Sequence, residues 1–211
     1  MPDRGDRPEF LAHCRWLLSQ QSVQPDEIII VSYPAVDDKV DIKARYMFGM
    51  EKLVALGCNL IVFFENDDWY SFDYIHYMAD KHIENGRPIM MGINRTIYYN
   101  IRFKHWKEMR HEGRSSTMAT IVTPAVLDVD WGDAANPYLD LYLWGKLRSR
   151  GKSIQAPIIN LGIKHNIGLC GGSGHALASD YIHTDDNWSF MASIIDKTSL
   201  ELYKRINAQL T

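Results

Sequence analysis

Leu60-Ile61-Val62-Phe63-Phe64-Glu65-Asn66-Asp67-Asp68-Trp69-Tyr70 decides how this chain folds: five apolar residues run straight into three carboxylates. The apolar half has no polar alternation, so it reads as a short strand buried on both faces. Each Leu, Ile, Val or Phe buried there stabilises the fold by about 1.5–3 kcal/mol. The acidic half falls where the strand leaves the sheet, and the carboxyl ends of strands in open α/β sheets are where ligands bind. Glu65 and Asp67 are two apart, so in extended chain they point the same way. Like charges beside an apolar strand are costly unless something positive arrives. A hard divalent cation carrying substrate phosphates meets that need. An acidic loop that caps the following helix fits the spacing equally well.

Upstream, Ile28-Ile29-Ile30-Val31 reads as a second buried strand after Pro25-Asp26-Glu27, and the loop 32–38, with Ser32, Tyr33, Asp37 and Asp38, leaves its carboxyl end. Residues 41–56 read as a helix closed by Gly57, with Arg45 in its first half. Residues 8–21 read as an earlier helix, with Pro8 at its first position and Asp6 as its cap. Phe10, Leu11, Cys14, Leu17 and Leu18 give it an apolar face. Residues 1–4 are polar, which leaves any opening strand nearly absent. The turn Arg4-Gly5-Asp6-Arg7-Pro8 is either an anion site at a helix N-terminus or two solvated arginines. Downstream come a helix over 71–85 ended by Gly86, a strand over 88–94, and a segment over 96–103 that pairs with a neighbour. Strand and helix alternate, which predicts parallel βαβ units with right-handed crossovers. The chain has no G-x-G-x-x-G and no P-loop.

Residues 95–114 are basic and aromatic, with Arg95, Tyr98, Tyr99, Arg102, Lys104, His105, Trp106, Lys107, Arg110 and Arg114 offset in part by Glu108 and Glu112. They suit either a surface that follows a phosphate backbone and stacks bases or a solvated hairpin with a half-buried aromatic face. A short strand covers 118–123. A helix covers 137–150 and ends at Gly151, with Leu139, Leu143 and Leu147 along one face. Asp140 lies in its first turn, where a carboxylate complements the helix dipole by under about 1 kcal/mol. Extended chain follows over 154–163. The glycine-rich loop 168–174 ends in His175, a candidate metal ligand or a structural histidine. Residues 188–210 read as helical.

With 211 residues, 46% hydrophobic and 23% charged, the chain has the composition of one sizeable α/β domain. No apolar run reaches membrane-spanning length, and residues 1–6 have no apolar core of the signal-peptide kind. Three scattered cysteines form neither a metal pattern nor a disulfide framework, which points to a reducing, cytoplasmic setting. A net charge of −3 argues against a generally basic nucleic-acid binder but leaves room for a local patch.

Several of these stretches together resemble the family-2 glycosyltransferases of the GT-A fold. Gly5-Asp6-Arg7-Pro8-Glu9-Phe10-Leu11, Gln20-Gln21 and Pro25-Asp26-Glu27-Ile28-Ile29-Ile30-Val31 look like the family opening. Ala44-Arg45-Tyr46, then Ala55-Leu56-Gly57, is similar to its Ala-Arg-Asn and Ala-x-Gly. Phe64-Glu65-Asn66-Asp67-Asp68-Trp69-Tyr70 looks like its aspartate-rich metal motif, Leu-Asp-x-Asp-Asp-Trp-Tyr. Asp140-Leu141-Tyr142-Leu143-Trp144, then Gly151, resembles the Glu-Asp-x-x-Leu-Trp helix that carries the general base. Ile163-Lys164 and Gly172-Ser173-Gly174-His175 are similar to a small phage and bacterial subgroup. The chain departs from the family at Ser32-Tyr33, where an aspartate usually contacts the base, at Glu65 for aspartate, and at Leu139 for glutamate.

The resemblance implies a single GT-A (Rossmann-like) domain over 1–211, an α/β fold with a mixed, mainly parallel sheet flanked by helices. Residues 1–94 would form the nucleotide and metal half, and 95–211 the acceptor half. It implies an inverting hexosyltransferase-like enzyme that moves a sugar from a nucleotide-sugar, UDP-linked, to an acceptor hydroxyl. Arg7, Pro8, Ser32 and Tyr33 would border the nucleotide, with Arg45 near its phosphates. Glu65, Asp67 and His175 would hold Mn2+ or Mg2+, Asp68 would approach the donor, and Asp140 would be the base. The subgroup suggests a hydroxymethylated pyrimidine in double-stranded phage DNA as acceptor, contacted by Arg95, Arg102, Lys104 and Trp106, in a host cytoplasm. A surface glycan or small molecule as acceptor, a sugar nucleotidyltransferase, and a non-catalytic binding protein are the competing readings.

Overall fold

The computed structural model describes residues 1–32, 41–133, 138–165 and 183–210. In chain order the strands and helices are β1 (Pro2–Asp3), α1 (Pro8–Ser19), β2 (Val31–Ser32), α2 (Ile42–Ala55), β3 (Ile61–Val62), β4 (Trp69–Tyr70), α3 (Tyr74–Glu84), β5 (Met90–Ile93), β6 (Arg95–Asn100), β7 (His105–Arg110), β8 (Thr120–Val122), α4 (Leu139–Leu147), β9 (Gly151–Ile154), β10 (Asn160–Lys164), β11 (His183–Thr184), α5 (Ser189–Ala192) and α6 (Lys197–Leu210).

The stretch around β3 is buried on both sides, as its unbroken apolar run predicts. Ile61 and Phe63 pack with Tyr46 and Met50 of α2 and with Leu139, Leu143, Trp144 and Leu147 of α4. Leu60, Val62 and Phe64 turn the other way, toward Tyr74, Ile75 and Met78 of α3. A third apolar cluster joins α1, β6, β10 and α6 through Phe10, Leu17, Ile97, Tyr99, Leu161, Ile163, Leu202 and Tyr203. Gly57 closes α2 at φ +88°, where Gly57 N donates to Val54 O and Cys58 N to Leu53 O, the paired bonds of a left-handed helix stop.

The fold is α/β with mixed sheets, in the strand orders β1-β2, β3-β8-β5-β9 and β11-β7-β6-β10-β4. The expectation of a mainly parallel sheet is corrected. Pairing is parallel at β1/β2, β5/β9 and β6/β10, but antiparallel at β3/β8, β5/β8, β4/β10, β6/β7 and β7/β11. The reason is local in part: a tight turn at residues 101–104 joins β6 to β7, and only antiparallel strands can be joined that way.

Several smaller expectations change as well. Residues 28–31 are not a buried strand, because Ile28 is exposed and ladder pairing begins at Val31. The opening strand is present: Pro2 and Asp3 pair in parallel with Val31 and Ser32, since side-chain polarity does not bar a backbone ladder. Asp6 does not cap α1; Arg7 holds the cap position and Asp6 pairs with its Nε at 3.5 Å. Gly151 is the first residue of β9 rather than a helix stop. Among the described residues, no helix is long and apolar enough to cross a membrane.

Candidate active site

The acidic stretch is a turn, not extended chain. Asp68 N donates to Glu65 O at 3.3 Å, and Glu65 N donates to the Tyr70 hydroxyl at 2.9 Å. The turn, rather than strand alternation, gathers the side chains, so the expectation drawn from Glu65 and Asp67 in extended chain is corrected. One carboxylate oxygen from each of Glu65, Asp67 and Asp68 lies within 4.8 Å of the others. Asn66 faces inward and donates from Nδ2 to Asp3 Oδ1 at 3.0 Å, which hooks the turn to the end of β1.

The neighbours of the turn come from both ends of the sequence. Arg7 forms an ion pair with Asp67 Oδ2, and His165 Nε2 lies 2.9 Å from the same oxygen. Asp68 Oδ1 accepts from Ile163 N at 2.7 Å, while its Oδ2 is buried without a hydrogen-bond partner among the described residues. Lys164 is buried beside them, its Nζ 5.2 Å from the centre of the Tyr98 ring. The site therefore lies at the carboxyl ends of β3 and β10.

Its charges are set by burial and by these neighbours. Burial pushes Glu65 up to about 7, with Lys164 opposing and Asp67 and Asp140 adding to the rise. Burial also raises Asp68 well above the ordinary carboxylate range, against Lys164. Burial would raise Asp67 too, but Arg7, the His165 hydrogen bond and Lys164 outweigh it and hold Asp67 below the ordinary range. Burial would lower Lys164, yet Asp68 and Asp67 raise it instead.

Asp140 is near enough for its charge to act on Glu65 and on Tyr98. It sits in the first turn of α4, and Arg114 Nη1 lies 3.2 Å from its Oδ2. Burial raises its pKa, with Arg114 and the backbone N–H groups of Leu141 and Asp140 opposing.

Other candidates fall elsewhere. Pro8 is the first residue of α1, beside Arg7. Ser32 ends β2, and its hydroxyl donates to Asp3 Oδ2 at 2.8 Å. Arg45 is buried in the framework: it bonds Asp41 at 2.6 Å, Val31 O at 3.0 Å and Asp3 O, tying α2 to β1 and β2. Arg95 is paired with Glu108 at 2.6 Å. Trp106 is stacked on Phe190 at 3.8 Å and on His183 at 4.1 Å. Arg102 lies over the Phe103 ring, and Lys104 Nζ donates to Asp186 O at 3.0 Å. Tyr33 and His175 lie outside the described residues.

Sequence reasoning missed His165, Lys164 and Asp3. A signal for the first two was present: Lys164-His165 follows a mostly apolar stretch, 158–163, interrupted at Asn160, much as the acidic turn follows 60–64.

The three carboxylates suit a hard divalent ion: they are oxygen donors within one small volume, and Asp68 Oδ2 is a buried oxygen still to be satisfied. Among the described residues, the imidazole of His165, 2.9 Å from Asp67, lies beside them. Comparison with models of known protein families finds no match, and comparison with curated proteins finds none either.

Proposed function

We propose that the protein is a metal-dependent inverting glycosyltransferase of the GT-A type, which moves a sugar from a UDP-linked donor to an acceptor hydroxyl. One observation carries the reading: the buried acidic turn with Arg7, Lys164 and His165 around it shares its surroundings with a second carboxylate, Asp140, on another element. Glu65, Asp67 and Asp68 are the residues that would hold Mn2+ or Mg2+, with His165 the nitrogen donor in place of His175. Such an ion, when bound, neutralises charge on a diphosphate leaving group.

The chain's own residues account for the rest. Arg7 fixes the Asp67 carboxylate and keeps it ionised. Ile163 N holds Asp68 by one oxygen and leaves the other for a ligand. Asp140 takes the proton of the acceptor hydroxyl as its oxygen attacks the anomeric carbon, and a single displacement inverts that centre. A nucleotidyltransferase has no use for this second carboxylate. With Arg95 paired to Glu108 and Trp106 stacked on Phe190, hydroxymethylated DNA stands as one acceptor to be tested beside glycans and small hydroxyl compounds.

The test is nucleoside-diphosphate release from a panel of nucleotide sugars, with Mn2+ and with EDTA, followed by mass spectrometry of those acceptors. Release is expected with Mn2+ and not with EDTA. Asp67→Asn and Asp140→Asn should each lower transfer by about 100-fold or more. Pyrophosphate among the products, or full activity in both variants, would overturn the reading.

A further inference from the structure

Lys164 is a mostly buried lysine whose ammonium makes no ion pair with the acidic turn. Its side of β10 is set by strand alternation: Leu161 and Ile163 face the core built with α1 and α6, and Gly162 and Lys164 face the other way. Gly162 leaves room for the Tyr98 ring, because a Cβ there would stand 2.5 Å from that ring. Lys164, two residues on, lays its Nζ over the same ring. The glycine, the ring and the strand end together build the seat of the ammonium.

Lys164 is 8% exposed, and the charges that act on it most are Asp68 and Asp67. Even so, its ammonium forms no ion pair or hydrogen bond with any described residue. Arg7 differs, since its guanidinium is committed to Asp67. An ammonium has three N–H donors, and those of Lys164 are open to an acceptor brought by a ligand. A cluster of carboxylates repels anions, so a cation beside it that no described residue pairs with favours an anionic group.

We propose that Lys164 binds the diphosphate of the donor directly, donating N–H to its non-bridging oxygens, so that the site holds a diphosphate by a charge of its own. The identity of the donor rests on the glycosyl-transfer reading; the binding of a diphosphate group does not. Two opposite effects of the same substitution follow. Lys164→Met removes a positive charge from the diphosphate and also from the neighbourhood of Glu65, Asp67 and Asp68. Anion binding should weaken while divalent-cation binding tightens. A residue that merely held the fold would weaken both.

The experiment measures inorganic pyrophosphate and UDP binding in EDTA by calorimetry, and Mn2+ binding by its free-ion resonance signal, in the full chain. Lys164→Met and Lys164→Arg are compared with the unsubstituted protein, and thermal melts check folding. The expected result is a tenfold or greater loss of pyrophosphate affinity in Lys164→Met, tighter Mn2+ binding, and most of the pyrophosphate affinity kept in Lys164→Arg. Unchanged pyrophosphate binding in Lys164→Met, no pyrophosphate binding in the unsubstituted protein, or parallel loss of pyrophosphate and Mn2+ would overturn the proposal. Lysine-dependent pyrophosphate binding without use of any nucleotide sugar would leave Lys164 standing and remove the glycosyl-transfer reading. An active enzyme indifferent to Lys164→Met would do the reverse.

Discussion

Asp140, the base in the proposed reaction, shows how one ion pair can tune a carboxylate. Burial raises Asp140, and the guanidinium 3.2 Å away opposes that rise. A base works only above its pKa, so the acid limb of the rate profile reports it. Arg114→Gln should move that limb to higher pH and lower the rate near it, with little change in donor KM. Arg114→Lys should restore part of the shift. A pH series of donor turnover reads both, and an unmoved limb in Arg114→Gln would mean that Arg114 does not set the base. Residue identity made Asp140 a candidate in the sequence, but its partner came from the basic stretch over 95–114. No local pattern says that one arginine there faces another element while Arg95 pairs with Glu108.

At the scale of elements, the contact between α1 and α6 makes stability depend on pH. His13 Nε2 lies 2.8 Å from Ser199 Oγ, which itself donates to Asp196, while Nδ1 is buried without a partner among the described residues. Burial lowers His13 from 6.5 to about 4, against the opposing charge of Asp196. The unfolded chain therefore binds a proton that the folded chain refuses. Stability is unaffected above pH 6.5 and falls as pH drops from 6.5 toward 4. Between pH 7 and pH 5 this one group should cost about 2 kcal/mol, and His13→Gln should flatten the slope in urea melts. His111, lowered by burial to about 4, adds a slope of the same sign that His13→Gln leaves in place. The β6–β7 hairpin gives a second case. Trp106 stacks on both Phe190 and His183, so Trp106→Ala should lose about 2–3 kcal/mol of stability, read by denaturant melts. If Trp106 instead served an acceptor, that variant would fold normally and fail only in transfer.

For the whole molecule, the apolar strand entering an acidic turn was legible because both halves lie in one short stretch. Helices α2 and α3 were legible from their glycine stops, and α4 from the leucines along one face. The partners of the turn were not, because they depend on register. His165 reaches Asp67 only because β10 runs parallel to β6 and antiparallel to β4, and nothing in either stretch alone fixes that pairing. The mainly parallel expectation failed for a related reason: alternation of strands and helices does not show which strands return by hairpins. Three carboxylates gathered by one short turn repel one another. Mn2+ at about 100 times its dissociation constant should therefore stabilise the fold by about 2.7 kcal/mol. Thermal melts with Mn2+ and with EDTA should separate for the native chain and draw together for Asp67→Asn.

The hook between Asn66 and Asp3 has a consequence for chemical ageing. Asn66 is the single amide in a row of acids, and its Nδ2 is what meets the Asp3 carboxylate. Loss of that amide to hydrolysis adds only one oxygen in place of one nitrogen, yet it turns a donor into a charge facing a charge. Old preparations that gain a mass of about one dalton at this residue should lose the grip of the first strand on the turn before any other damage shows.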